Sequence, residues 1–240
     1  MWNDVVDLRD FYKSPLGRVA RRTLQQRIHA LWPDMTGQSV LGLGYATPYL
    51  KSFNGEAARV IAAMPAQQGV LHWPGDGPGK VLLCDETDIP LPDLSLDRVL
   101  IVHGLECSEN LRPMMREIWR VLADSGRVLI IVPNRRGIWA RLDRTPFGHG
   151  SPYTTGQLGR LLRNTLFTPM RTARALYIPP SRSRMVLASA GAWENVGSRW
   201  FQTFAGVHIV EAGKQIYAAT PTGKRETARR LVMSPSAGRS

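Results

Sequence analysis

The sequence predicts an α/β fold, a parallel sheet with helices on both faces, and three observations carry that prediction. Short apolar segments, partly β-branched and without a polar face, recur at 39–43, 59–63, 80–83, 98–102 and 127–132. That is the composition of strands buried on both sides. Stretches with apolar residues at helical spacing precede and separate them. The first strand also runs directly into a small-residue turn, Gly42-Leu-Gly-Tyr-Ala-Thr47. Strands alternating with helices give a parallel sheet with right-handed crossovers.

Taken in order, 4–11 reads as a short helix. Ser14-Pro15 then opens a longer one, with a capping hydroxyl followed by proline at the first helical position. Leu16, Ala20, Leu24, Ile28 and Leu31 repeat at helical spacing, arginines fill the other faces, and Pro33 ends the helix. The first three strands follow at 39–43, 59–63 and 80–83. The stretch 65–79 holds four glycines and three prolines, so the crossover there is a loop rather than a helix. Its Gly75-Asp-Gly-Pro-Gly-Lys80 invites a phosphate-loop reading. That reading fails on glycine spacing and on Val81, which stands where a metal-binding hydroxyl is required.

The fourth strand is 98–102. A helix over 111–122 turns Leu111, Met114, Met115, Ile118 and Leu122 inward, and 127–132 is the fifth strand. Thr154-x-x-Gln157 resembles a capping box ahead of Leu158, Leu161, Leu162 and Leu166. The last two strands are expected at 172–178 and 207–219. Between them 179–204 reads as an insertion, helical near 192–203. The stretch 220–240 is polar, basic and broken by glycine and proline, so it reads as a disordered tail. The domain plan is a helical cap at 1–35, one α/β domain at 36–219, and the tail.

Composition narrows the function. A chain of 240 residues with 43% hydrophobic content builds one large core. Its longest apolar run, 128–132, is too short to span a bilayer, and no basic-then-apolar leader stands at Met-Trp-Asn-Asp. Two cysteines, Cys84 and Cys107, sit beside strand ends and predict reduced thiols and a cytoplasmic location. The five histidines are scattered, so no metal is expected. The net charge of +12 suits a phosphate-rich partner or a solvated basic surface. The absence of an RNA-binding motif favours the second.

Two long motifs agree with one known family in content and spacing. Pro90-Leu-Pro-Asp-Leu-Ser-Leu-Asp97 and Met115-Arg-Glu-Ile-Trp-Arg-Val-Leu-Ala-Asp-Ser-Gly126 resemble those of the class I S-adenosylmethionine (SAM)-dependent methyltransferases, type 11 subgroup. The resemblance covers roughly half the chain, strongest over 85–132. It implies a Rossmann-like seven-stranded, mostly parallel sheet whose last strand is antiparallel. It also implies SAM as cofactor, lying across the carboxyl ends of the strands.

The resemblance also places the site residues. Gly42, Gly44, Tyr45 and Ala46 form the turn under the methionine part, though such a turn equally serves a plain strand-to-helix connection. Asp85 stands where the family accepts from the adenine amino group, or it caps a turn. Glu86 and Thr87 offer backbone to the ring edge. Val102 and His103 follow the fourth strand near the reacting methyl group. His103 and Glu106 are the candidate catalytic acid–base groups, with a structural histidine as the other reading. Tyr12 is a lid candidate or part of a helix staple. His149 and Tyr153 are acceptor-pocket candidates or loop anchors.

Two departures stand out. The family usually carries acids where this chain has Gly42 and, at the end of the second strand, Ala63 and Met64. Neither of the latter accepts a hydrogen bond well. The expected acceptor is a small molecule, with RNA as a further option. A catalytically inactive binding or regulatory protein is the competing reading.

Overall fold

The computed structural model describes residues 2–216. The tail expected at 220–240 and the end of the strand expected at 207–219 lie outside the described residues. The chain begins with α1 (Val5–Lys13) and α2 (Pro15–Leu31). Ser14 ends the first and caps the second: its Oγ accepts from the Gly17 amide at 3.0 Å. Then come β1 (Ser39–Gly44), a single helical turn α3 (Thr47–Leu50), β2 (Arg59–Pro65), β3 (Val81–Cys84) and β4 (Leu96–Val102). They are followed by α4 (Leu111–Val121), β5 (Leu122–Pro133), α5 (Thr155–Asn164), β6 (Phe167–Ala175), α6 (Arg184–Ala188), α7 (Ala190–Trp200) and β7 (Val207–Lys214).

Seven strands form one sheet in the order β3-β2-β1-β4-β5-β7-β6. Strands β1 to β5 pair in parallel, and β7 runs antiparallel to both β5 and β6. Successive side chains on a strand face opposite ways, so the sheet serves two cores. Val40, Leu100, Val102, Leu129 and Ile131 meet Leu8, Tyr12, Ala20, Leu24 and Ile28 of the first two helices. Leu41, Leu43, Val99, Ile101 and Val128 meet Met114, Met115 and Ile118 of α4 and Leu158 and Leu162 of α5. The capping box at Thr154 and Gln157 is present on both sides.

Two expectations are corrected. The sixth strand is Phe167–Ala175 rather than 172–178. Leu166, at φ 63°, turns the chain out of α5 directly into it. The insertion holds two helices, because Ser189, at ψ 11°, closes α6 and its carbonyl then accepts from the Ala192 and Trp193 amides to start α7. The 65–79 stretch is the expected loop, and Lys80 leaves it for β3.

Candidate functional site

The carboxyl ends of β1 and β4 meet at one point. Gly44 pairs with Val102, and the Tyr45 amide donates to the Val102 carbonyl at 2.8 Å. Gly44 adopts φ 79°, and a Cβ there would stand 2.4 Å from the Val102 oxygen. Only glycine lets the two strands close this way. Gly42 is also required, for a different reason. A Cβ on it would lie 2.6 Å from Leu50 Cδ1 and 2.7 Å from Ala46 Cβ, so its bareness seats α3 on the strand.

Beyond Val102 the backbone turns left-handed at His103, φ 51°. That places a fully buried imidazole above the turn. Tyr12, from the end of α1, reaches over the same spot. Its ring stacks on Tyr45 with centroids 5.6 Å apart, and its hydroxyl is 2.8 Å from His103 Nε2. Tyr49 donates to the Tyr12 oxygen at 3.0 Å. Tyr12 therefore gives its own proton to Nε2, and the neutral ring carries its hydrogen on Nδ1. That nitrogen is 3.3 Å from Glu106 Oε1, without hydrogen-bond alignment. Burial drives the Tyr12 phenol well above its ordinary value, reinforced by Tyr49.

Glu106 is buried and neither of its carboxylate oxygens has a hydrogen-bond partner. Burying a carboxyl group without a hydrogen-bond partner is costly, which makes Glu106 a candidate for a role beyond packing. Its neighbours feel it: Tyr153 is pushed up to about 12, by burial first and then by Glu106. Gln68, from the glycine-rich loop, donates to the His103 carbonyl at 3.1 Å, while its Oε1 is buried and unpaired. Phe147 covers the other side of His103, with ring centroids 4.7 Å apart.

The expected site residues fall into three groups. Tyr12, Gly44, Tyr45, Val102, His103 and Glu106 converge. Asp85, Glu86 and Thr87 form a separate turn at the end of β3. Asp85 accepts from the Thr87 amide and hydroxyl, both at 2.8 Å, which hold its carboxyl below the usual range. Glu86 is buried and accepts from Ser108 Oγ at 3.3 Å. Met64 and Ala46 are buried and apolar, and Met64 Sδ faces the Leu71 amide. His149 and Tyr153 are the third group, on the loop after β5. His149 Nε2 is 2.6 Å from the Asp143 carbonyl, and the Tyr153 amide donates to the Pro133 carbonyl. Sequence reasoning missed Tyr49, Gln68 and Phe147. None lies in a pattern that marks it, since each is placed by chain segments distant in sequence.

Two cavities flank α1. One, about 720 Å³, lies between α1 and the 143–150 loop and is lined by Trp2, Asp7, Leu8, Phe11, Arg144 and His149, among others. Gly150 in its wall packs directly on Glu106. The other, about 400 Å³, is bordered by Arg9, Tyr12, Lys13, Tyr45, Lys51 and Trp73. Tyr12 and His149 thus border different cavities.

Comparison with known proteins gives a consistent answer. Residues 40–130 match a methyltransferase domain family. The chain is 29% identical over 209 residues to the ubiquinone/menaquinone biosynthesis C-methyltransferase UbiE of Rubrivivax gelatinosus, covering 82% of this chain and 81% of that one. A SAM-dependent methyltransferase of Thermotoga maritima shares the fold with a TM-score of 0.61 at 15% identity, over 88% of this chain and 95% of the other. The 1,6-didemethyltoxoflavin-N1-methyltransferase of Burkholderia thailandensis does so with a TM-score of 0.53 at 17% identity, over 86% and 82%.

Proposed function

We propose that this chain, similar to the class I SAM-dependent methyltransferases over its central domain, is a methyltransferase of that kind whose acceptor is a small molecule received in the cavity between α1 and the 143–150 loop. That cavity carries the reading. Its volume of about 720 Å³ falls among those of small-molecule sites, and Gly150 in its wall packs on the Glu106 backbone carbonyl. The relative named for ubiquinone and menaquinone biosynthesis, and the one named for didemethyltoxoflavin, support an acceptor of that class.

The cofactor must displace something to bind. Tyr12 lies over the Gly44–Tyr45 turn, and the Val5 amide bonds the Gln68 carbonyl at 2.9 Å. The residues fit SAM once the Tyr12 side chain moves off the turn, with α1 still walling the acceptor cavity. The unpaired Gln68 Oε1 and both unpaired Glu106 oxygens are acceptors suited to a cationic group rich in donors. In this proposal the turn Gly42, Gly44, Tyr45 and Ala46 with Val102 and His103 holds the methionine part, and Glu106 supplies the charge missing at Gly42. Met64 packs the sugar side, and Asp85, Glu86 and Thr87 border the base.

When bound, SAM supplies an electrophilic methyl group for in-line displacement. The chain's own residues position the acceptor and take its proton. His103 Nε2, released from Tyr12, is the base, and Glu106 beside Nδ1 stabilises the imidazolium that forms. His149 borders the acceptor from the cavity wall, Tyr153 follows on the same loop, and Tyr12, on the other cavity, is the lid.

Calorimetric titration with SAM and S-adenosylhomocysteine tests the cofactor half. Saturable heat is expected. No heat and no thermal shift at millimolar ligand would leave the inactive, regulatory reading in its place. Incubation with methyl-labelled SAM and separate small-molecule and RNA fractions tests the acceptor, with label expected in the small-molecule fraction. Salt-sensitive RNA binding with label in RNA would overturn it.

A further inference from the structure

The insertion between β6 and β7 has a second apolar side that nothing among the described residues covers. The inner side of α7 is accounted for. Glu194 accepts from the Tyr177 amide at 2.7 Å, and Gly197 lies where a Cβ would strike the Tyr177 ring. The outer side carries Trp193, Val196 and Trp200, at i, i+3 and i+7, one stripe of a helix. All three are exposed, Trp200 at 72%. The chain then adds Phe201 and Phe204, exposed at 55% and 62%, and α6 adds Met185 at 83%. Single exposed apolar residues are ordinary, but six from one 20-residue stretch make a patch that calls for a partner.

Charge identifies the partner. Arg182, Arg184 and Arg199 are exposed on the same segment. Between Asp143 and Glu211 the only carboxylate is Glu194, and it is buried. The elements packed beside the insertion, α2 and β6, contain no Asp or Glu at all. Arg22 of α2 extends the positive surface alongside α6 and α7, while Arg27 stands 3.9 Å from Glu194. Tryptophan and phenylalanine on a helix face rimmed by arginines, with no exposed acid, is the pattern of a segment lying in a lipid interface.

We propose that the outer face of 182–204 docks on an anionic lipid bilayer. The aromatic side chains and Met185 enter the headgroup–acyl boundary, and Arg182, Arg184 and Arg199 meet lipid phosphates. Stacking on RNA would use the flat rings and the arginines but leave Val196 and Met185 without a role, so the bilayer is favoured. The docking is independent of methyl transfer and needs no cofactor.

Vesicle flotation of the full chain tests this, comparing phosphatidylcholine alone with phosphatidylcholine containing phosphatidylglycerol. Binding to the anionic vesicles is expected to be at least about tenfold tighter. The double variant Trp200→Ser, Phe204→Ser should lose at least about tenfold in binding to them. The triple variant Arg182→Gln, Arg184→Gln, Arg199→Gln should bind both vesicle types alike. Thermal melts confirm that each variant is folded, because every changed side chain is solvent-exposed. No flotation with either vesicle overturns the proposal, as does flotation that the aromatic variant leaves intact. So does a self-associated species in sedimentation that Trp200→Ser disperses, or RNA retention lost with the same aromatics while vesicles are ignored.

Discussion

The Tyr12 hydroxyl stands 2.8 Å from His103 Nε2, so the tip of the first helix is tied to the end of the fourth strand across the glycine turn. The bond joins groups 91 positions apart in sequence. It closes Tyr12 over the proposed cofactor turn and sets which nitrogen of the neutral imidazole carries the hydrogen.

Tyr12→Phe keeps the ring on Tyr45 and removes the tie. His103 Nε2 is then buried and unpaired, at a cost of about 1–3 kcal/mol, so the melting temperature should fall. The closed form loses the same bond, and affinity for S-adenosylhomocysteine should rise by up to about tenfold. Calorimetry of wild type and variant decides this. A fall in affinity would mean the hydroxyl holds the ligand rather than the door.

Glu106→Gln exchanges a buried carboxyl group with two unpaired oxygens for a neutral amide. Stability of the free protein should rise by about 1–3 kcal/mol, read by denaturant unfolding, while cofactor affinity should drop by about 10- to 100-fold. Asp85→Ala should cost less affinity, since the Asp85 carboxylate is already committed to Thr87. Equal losses at both positions would shift the binding role toward the β3 end of the sheet.

Stability should decline in mild acid because of His208. Burial, with Arg174 nearby, lowers its folded value from 6.5 to about 4. Between those values the unfolded chain binds the proton and the native one does not. The contribution is therefore fully present above pH 6.5 and is lost as pH falls toward 4, up to roughly 3 kcal/mol. His208→Gln should flatten that part of a urea-unfolding series. An unchanged slope would assign the acid sensitivity to other groups.

Gly44→Ala should be among the most damaging single changes in the sheet. It combines φ 79° with a backbone oxygen 2.4 Å from the new methyl group, and a loss above about 3 kcal/mol is expected. Gly55→Ala is the control: its φ is 107°, but nothing lies within 4 Å, so only backbone strain of about 1 kcal/mol applies. Similar melting temperatures for the two variants would mean the strands can part at Gly44 without cost.

Much of the fold was legible because its signals are local. Ser14-Pro15 and the Thr154–Gln157 box mark helix starts through bonds spanning three residues. Runs such as 98–102 mark buried strands through composition alone. The sixth strand was misplaced because Leu166 leaves α5 through a left-handed conformation, which leucine gives no reason to expect. The spacing of 90–97 and 115–126 also pointed to the family without any coordinates.

The sequence by itself determined the sheet, its helices, the glycine turn and the methyltransferase family, since each rests on short-range pattern and spacing. Only the tertiary structure decided how the site is filled. Tyr12, Tyr49, Gln68, His103, Glu106 and Phe147 come from five separate segments, and no local rule states that they meet. Their hydrogen-bond directions, the unpaired Glu106 oxygens and the uncovered outer face of α7 follow from what each side chain faces after packing. That depends on long-range chain closure, which pattern along the chain does not encode.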